Sequence, residues 1–228
     1  MVTLTVENYV KAIYQILTET NQPTVGNGDI ARKLGVAPGT VTSMLQTLDA
    51  ANLVNYQTHK GASLTDAGRT LALRVLRRHR LMELFLNKTL GMTWAEVHEE
   101  AEHLEHAVSD GLIDRIDAYL GFPDRDPHGD PIPNRDGAVA DCDTISLREC
   151  DAGSRFELLR VLDQSPEFLR YLTQSGLDLG ARGAVIENQE QAGALVVEAV
   201  TGRRLVLGFP TAEKLRVRQL ELSKDAGR

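Results

Sequence analysis

Two groups of side chains in this chain have the chemistry of metal ligands. Residues Thr93 to His106 read TWAEVHEEAEHLEH, with three histidines and five glutamates in fourteen residues. His98, Glu102, Glu105 and His106 follow at offsets of four, three and one, so on a helix they share one stripe. Upstream, His79 and Glu83 stand four apart in RRHRLMELFL. Imidazoles and carboxylates without thiolates suit Mn2+, Fe2+, Co2+ or Zn2+, whereas an all-oxygen set would suit Ca2+ or Mg2+. Singly, each pair is ordinary helix surface: His79 lies in a basic run, Glu102 and Glu105 in an acidic one. Four candidates on one stripe beside an apolar face, matched by a second pair, point instead to a cation site. An acidic stripe against a core would otherwise be costly to desolvate and self-repelling. Glu99, Glu100 and His103 face elsewhere on the wheel and are expected in solvent. The stretch is not a zinc-protease signature. His98-Glu99 is followed by His103 at five rather than four, and Glu102 to His106 lacks the leading His of the inverted form.

A helix must carry these donors. Thr93 with Glu96 three residues on is a capping-box pattern. Val97, Ala101, Leu104 and Val108 supply an apolar face, and the helix is predicted to run to the break at Ser109-Asp110-Gly111. The preceding helix opens at Thr65-Asp66-Ala67-Gly68-Arg69 and continues to about Lys88. Its apolar residues exceed what one small domain needs, so it is expected to pack against a second subunit too.

The charge is unevenly spread over the 228 residues, whose net charge is −7. Residues 1–90 carry +4, residues 91–140 carry −9 and residues 141–228 carry −2. The first segment could approach a phosphate backbone, and the second could hold cations. An apolar fraction of 42% and a charged fraction of 25% are ordinary for a globular protein. No apolar run reaches the ~20 residues of a membrane span. The N-terminus lacks a basic n-region and a long apolar h-region. Cys142 and Cys150 are too few for a disulfide framework. A cytoplasmic protein without a membrane segment is expected.

Val6 to Glu19 reads as a helix, followed by a loop over residues 21–28. Asp29–Leu34 is a short helix, Gly35 to Gly39 a turn, and Thr40–Asn52 a second helix buried through Val41, Met44, Leu45 and Leu48. Leu53–Tyr56 and Ala62–Leu64 flank a tip at Thr58–Gly61 and read as a β-hairpin. Helix-turn-helix plus hairpin is a winged helix, whose second helix would enter the major groove of double-stranded DNA. Ala37, Pro38, Gly39, Thr40, Thr42, Ser43 and Gln46 are its outward candidates for phosphates, thymine methyls and base edges, and Lys60 at the hairpin tip is a backbone contact.

After a helix over Leu112–Leu120, GFPDRDPHGDPIPNRDG holds four prolines and three glycines in seventeen residues. It reads as a linker or an ordered connecting loop, and as a domain boundary. Strands are then expected at Arg155–Leu162, Gly183–Glu187, Ala194–Val200, Arg203–Leu207 and Leu215–Leu220, with a helix over Pro166–Ser175 capped by Ser165. Short strands with one helix suggest a small β-barrel. The fold class is α+β: a winged-helix DNA-binding domain (1–65), a helical metal-binding and dimerisation domain (66–121), a Pro-rich linker (122–141) and the barrel (142–228).

The helix Glu7–Tyr14, PGTVTSMLQTLDAANLV, LTDAGR, RRHRLMELFL, VHEEAEHLEHAVSD and HGDPIP together resemble the diphtheria-toxin-repressor family of metal-dependent transcriptional repressors, in order over residues 1–140. The tail resembles the SH3-like (FeoA-like) domain that many members carry. This resemblance implies a homodimer on a palindromic operator, controlling metal-homeostasis genes, with two metal sites per subunit. The primary site would use Asn8, Glu102, Glu105 and His106. The ancillary site would use His79, Glu83 and His98, with Glu167 and Asp163 as candidates from the tail. Iron-sensing members have Met at the position of Asn8 and Cys at that of Glu102, and manganese-sensing members have Asp and Glu. Glu102 therefore favours Mn2+ over Fe2+, while Asn8 is a neutral ligand at best. Zn2+, Co2+ or Cd2+ would substitute in vitro. Lys11 stands where some short manganese sensors place a Glu, which argues for two separated sites. The alternatives are a winged-helix regulator with purely structural metals, and a metal-dependent hydrolase. No nucleophile motif supports the hydrolase, so no enzymatic activity is expected.

Overall fold

Thr3 opens the first helix, its hydroxyl accepting the Val6 amide, in a computed structural model that describes residues 3–140 and 143–220. Cys142 lies outside the described residues. Helix α1 (Leu4–Thr20) buries Tyr9, Val10, Ile13 and Ile16. Helix α2 (Asn27–Leu34) closes at Gly35, and α3 (Pro38–Ala50) starts with proline in its first turn, where a missing N–H costs nothing. Val41, Leu45 and Leu48 are the buried face of α3. Strands β1 (Val54–Gln57) and β2 (Gly61–Leu64) pair antiparallel, Val54 opposite Leu64. Val25, expected in a loop, bridges to Ala62 and ties the hairpin to the helices.

Helix α4 (Asp66–Leu90) follows, then α5 (Val97–Leu104) and α6 (Asp110–Tyr119). Helix α5 is shorter at both ends than its sequence predicts. The Glu96 carboxylate does reach back to Thr93, accepting its backbone N–H at 2.8 Å and its hydroxyl at 2.7 Å. That contact closes a turn ahead of the helix rather than its first turn. At the other end the Leu104 carbonyl takes both the Ala107 and Val108 amides, at 2.9 and 3.2 Å. The Ala107 amide bonds three residues back, the tighter pattern that closes a helix end. Glu105 and His106 therefore sit on a turn, not on the helical stripe. Ser109-Asp110-Gly111 is not only a break. The Ser109 hydroxyl accepts the Leu112 amide and starts α6, with Asp110 in its first turn.

The C-terminal part holds β3 (Ile145–Ser146), β4 (Arg155–Val161), α7 (Pro166–Ser175), β5 (Arg182–Gln189), β6 (Ala194–Ala199), β7 (Arg204–Gly208), α8 (Phe209–Ala212) and β8 (Leu215–Leu220). Its strands form one antiparallel sheet in the order β3-β8-β4-β5-β6-β7. Leu162, expected in the strand, falls just past β4 and is exposed. Ser165 holds the N-cap position of α7 but makes no side-chain cap bond. The Asp163 carboxylate accepts the Ser165 amide instead, at 3.0 Å.

The chain folds as two units. One gathers the N-terminal residues up to His79 with His103–Arg115 and Pro133–Val139. The other gathers Arg80–Glu102, Ile116–Ile132 and the chain from Ala140 onward. The first has its core in α1, α2, α3 and the hairpin, around Ile13, Ile30, Leu45 and Leu48. The second packs Phe156, Leu158, Leu169, Leu172, Val185, Leu195 and Val217 together with Trp94.

Within the second unit, the Pro/Gly-rich segment up to Ile132 is an ordered loop. Asp126, His128 and Ile132 are buried. Val161 N donates to His128 O at 2.9 Å, beside the bulge where β4 shifts register between Leu158 and Arg160. Gly129 makes this approach possible. Its φ is +85°, and a Cβ there would lie 1.9 Å from Leu159 O. Gly129→Ala is expected to destabilise the protein by about 2 kcal/mol or more, read as a lower urea midpoint at unchanged slope. An unchanged midpoint would mean that the loop does not need this contact.

Candidate metal centres

In the first unit the candidate ligands converge on Glu105. Its side chain is fully buried. Lys11 Nζ, from α1, donates to Oε1 at 2.7 Å. His79 Nδ1, from α4, is 2.6 Å from Oε2. His106 Nε2 is 3.1 Å from Oε1 but lacks hydrogen-bond geometry, so that buried nitrogen has no hydrogen-bond partner. The Asn8 carbonyl oxygen is likewise buried without one. The other face of His106 is anchored, Nδ1 lying 2.6 Å from Glu7 Oε2. Arg78 reaches Glu7 at 3.7 Å and Asp110 at 2.7 Å, and Arg74 also pairs with Asp110. Partial burial alone would raise the Asp110 carboxyl, but hydrogen bonds from Arg74 and Arg78 hold it below the usual carboxylate range.

An orphaned imidazole nitrogen 3.1 Å from a buried carboxylate is what a cation site looks like from its ligands. An unmatched buried polar atom costs free energy that a bound cation recovers. Glu105 and His106 therefore fit a divalent metal in donor type and placement, and Asn8 in donor type. His79, which the resemblance places in the other set, has its Nδ1 at Glu105. Lys11 provides the positive charge that Glu105 requires.

In the second unit Glu83 is buried and faces two imidazoles. Its Oε1 lies 3.1 Å from His98 Nδ1, and its Oε2 lies 3.6 Å from His128 Nδ1. Glu102 Oε1 is 3.9 Å from His98 Nε2, and both side chains are partly open to solvent. Burial, then Asp130 and Glu83, push the Asp126 carboxyl up to about 7, against the pull of His128 and Arg80. Burial acts to lower His128, but Glu83 and Asp126 raise it to about 9. Asp163 and Glu167 are occupied or exposed. Asp163 accepts Lys214 Nζ at 2.7 Å, and Glu167 is an exposed partner of Arg170. Among the described residues neither belongs to a cluster of three donor groups. Glu99, Glu100 and His103 are exposed.

Three residues escaped the sequence reading. Glu7, beside Asn8, holds His106. Asp126 and His128 lie in a Pro/Gly-rich loop without periodicity, so nothing local marked their burial. The HGDPIP match was the one signal that pointed there.

On α3, Pro38, Gly39, Thr40, Ser43 and Gln46 are exposed, as are Ala37 before it and Lys60 at the hairpin tip. Thr42 is half-buried and partly committed: its hydroxyl accepts Asn27 Nδ2 at 2.9 Å.

Comparison with known proteins agrees with this architecture. Residues 1–62 match the N-terminal DNA-binding domain of iron-dependent repressors, and residues 65–134 match their metal-binding and dimerisation domain. Residues 145–219 match the FeoA domain. The diphtheria toxin repressor of Corynebacterium efficiens is 28% identical over 231 residues, covering 95% of this chain and 96% of that protein. The iron-dependent repressor IdeR of Mycobacterium bovis is 32% identical over 157 residues, covering 66% and 67%. A manganese-dependent transcriptional repressor solved in complex with manganese superposes with a TM-score of 0.85 at 41% identity, covering 94% of this chain and all of that one. The repressor ScaR with bound Cd2+ gives 0.80 at 32% identity, covering 94% and 99%. Among the described residues no helix is long and apolar enough to cross a membrane. With a DNA-binding domain joined to a divalent-metal-binding and dimerisation domain, the chain belongs to the diphtheria-toxin-repressor/IdeR family of iron- or manganese-dependent transcriptional repressors and is not an enzyme.

Proposed function

We propose that a cytoplasmic homodimer of this chain senses Mn2+ in preference to Fe2+, through two sites per subunit, and represses metal-homeostasis genes from a palindromic operator. The observation that carries the metal reading is the orphaned buried nitrogen His106 Nε2, 3.1 Å from the fully buried Glu105 carboxylate. Glu102 supports manganese, since a hard carboxylate stands where iron sensors place a thiolate. The 41% identity to a repressor solved with manganese supports the same choice. Zn2+, Co2+ and Cd2+ would substitute in vitro.

In this reading Asn8, Glu102, Glu105 and His106 form one donor set. His79, Glu83 and His98 form the other, with no assigned role for Asp163 or Glu167 beyond their candidacy. The cation supplies the charge that lets these donors stay buried together. Asn8 belongs to α1, so its engagement fixes α1 against the turn that bears Glu105 and His106. That fixes the attitude of the helix-turn-helix, and with it the half-site spacing a dimer can span. Linkage then demands that metal tighten DNA binding by the same factor as DNA tightens metal binding. The proposed division is 1–65 for DNA, 66–121 for metal and dimerisation, 122–141 as connector and 142–228 as the FeoA-like domain. Ala37, Pro38, Gly39, Thr40, Thr42, Ser43 and Gln46 would face the major groove.

The test is fluorescence anisotropy with a palindromic operator in Mn2+ and in EDTA. Equal affinity in both would reject metal sensing and leave a structural metal. For the wing, Lys60→Ala is expected to weaken all duplexes alike and to lower the slope of log K against log salt by about 1. A sequence-selective loss without a change in slope would place Lys60 on a base instead.

A further inference from the structure

Helix α3 carries one long polar side chain that the protein leaves uncommitted. Its sequence, PGTVTSMLQTLDA, contains no Lys or Arg. Three of its hydroxyls point their hydrogens at the helix itself. Thr42 Oγ1 donates to the Pro38 carbonyl at 3.2 Å, Ser43 Oγ to that of Gly39 at 3.3 Å, and Thr47 Oγ1 to that of Ser43 at 3.1 Å. Toward any partner these hydroxyls therefore offer lone pairs only. The Asp49 carboxylate accepts the Tyr56 amide of β1 at 2.9 Å. Asn27 of α2 donates to the Thr42 hydroxyl at 2.9 Å and to the Tyr56 hydroxyl at 3.3 Å. Those bonds hold α3 against α2 and the hairpin. The Gln46 amide is exposed, and among the described residues no hydrogen bond engages it.

Gly39, Ser43 and Gln46 follow at offsets of four and three, one stripe opposite the buried Val41, Leu45 and Leu48. A long side chain on a helix leans toward the N-terminal turn, which directs Gln46 over the short Ser43 and the bare Gly39. The fold does not demand glycine at position 39. Its φ is not positive, and a Cβ there would meet nothing within 4 Å. Glycine weakens a helix, and what it gains here is room outside the protein, where a base edge can come close to the backbone.

We propose that Gln46 is the base-reading residue of α3, its carboxamide pairing with N6 and N7 of an adenine in each half-site of the operator. This rests on the reading of the chain as an operator-binding dimer. A glutamine carboxamide presents one donor and one acceptor, which match the N7 acceptor and N6 donor of adenine. Guanine presents two acceptors, O6 and N7, and needs the two donors of Arg or Lys, which α3 lacks. On the neighbouring α2, Arg32 is paired with Asp29 and Lys33 with Glu19. Thr42 and Ser43, with lone pairs only, accept from adenine N6 or cytosine N4 alike and so choose neither. Discrimination by α3 then falls to Gln46, and it selects an A·T pair.

The experiment selects duplexes from a randomised pool with the full chain in Mn2+, then measures anisotropy on the selected palindrome and its single substitutions. The expected result is an A·T pair in each half-site whose replacement by G·C weakens binding about 5- to 150-fold, the discrimination of a bidentate side chain–base pair. Replacing that adenine by 7-deazaadenine, which lacks the N7 acceptor, should lose much of the same factor. Gln46→Ala, at an exposed helical position where alanine favours the helix, should flatten the preference at that pair. Preferences elsewhere and the salt slope should stay as they are, since no phosphate contact is removed. Gln46→Arg should turn the preference at the same pair to G·C. If Gln46→Ala weakens all duplexes alike and keeps the A·T preference, Gln46 is a backbone contact and the proposal fails. Unchanged affinity for the 7-deazaadenine duplex overturns it as well. If no sequence is enriched, base reading by Gln46 and the operator reading fall together. An enriched palindrome whose preferences survive Gln46→Ala overturns only the role of Gln46.

Discussion

Lys11→Met is expected to tighten Mn2+ binding by roughly tenfold or more while making the metal-free protein less stable. The ammonium of Lys11 is 2.7 Å from Glu105 Oε1, and both side chains are buried. It occupies a carboxylate oxygen that a metal would need, and it supplies the charge that a metal would bring. A charge-assisted hydrogen bond of this kind contributes about 1.5–3 kcal/mol, a factor of about 10 to 150 in competition. Methionine keeps the length of the chain and removes the competitor. The same change leaves a buried carboxylate short of a cation, which costs about 3–5 kcal/mol without metal. Thermal melts in EDTA should therefore fall, and the stabilisation gained on adding Mn2+ should exceed that of the parent protein. Calorimetric titration checks the affinity directly. A Mn2+ affinity within twofold of the parent would show that Lys11 does not compete. With the expected tightening, Lys11 sets the metal threshold of the sensor by electrostatics rather than by ligation.

The second large effect concerns Glu105 itself. Glu105→Ala is expected to abolish metal-dependent operator binding, but it is a poor probe of the fold. It would leave the Lys11 ammonium buried and unmatched by this carboxylate, at a cost of about 3–5 kcal/mol. Glu105→Gln keeps the shape and an acceptor while removing the charge. The double variant Lys11→Met/Glu105→Gln removes both charges and should return to within about 1 kcal/mol of the parent's stability, since replacing both partners of a buried pair is far milder than removing one. It should bind operator identically in Mn2+ and EDTA. The departure from additivity in this cycle measures the pair. A Glu105→Gln variant with the parent's Mn2+ response would remove Glu105 from the ligand set.

Much of the fold was legible because its signals are local. Pro38 at the start of α3, the Gly35 stop of α2 and the 3.6-residue spacing of Val41, Leu45 and Leu48 each act within a turn or two of chain. The hairpin at residues 54–64 and β8 at residues 215–220 follow from alternation in the same way. The ends of α5 were misjudged for a related reason. A Thr-Glu pair three apart satisfies a helix start and a turn equally well, and the choice fell to the burial of Trp94 in the second core. Past Leu104, no residue type forbade another helical turn, yet the chain turned so that Ser109 could start α6.

By itself the sequence determined the class of chemistry and the family: imidazoles and carboxylates without thiolates, a basic N-terminal segment beside an acidic one, and a set of motifs in one order. Those depend on residue type and short spacing, which the chain carries whether folded or not. Only the tertiary structure decided who faces whom. Lys11 meets Glu105 across 94 residues and Glu7 meets His106 across 99. Asp126 and His128 became buried because a loop with a glycine at φ +85° can lie against β4. Such pairings are set by packing and by the desolvation of charges brought into one interior, and neither quantity exists until the chain has folded.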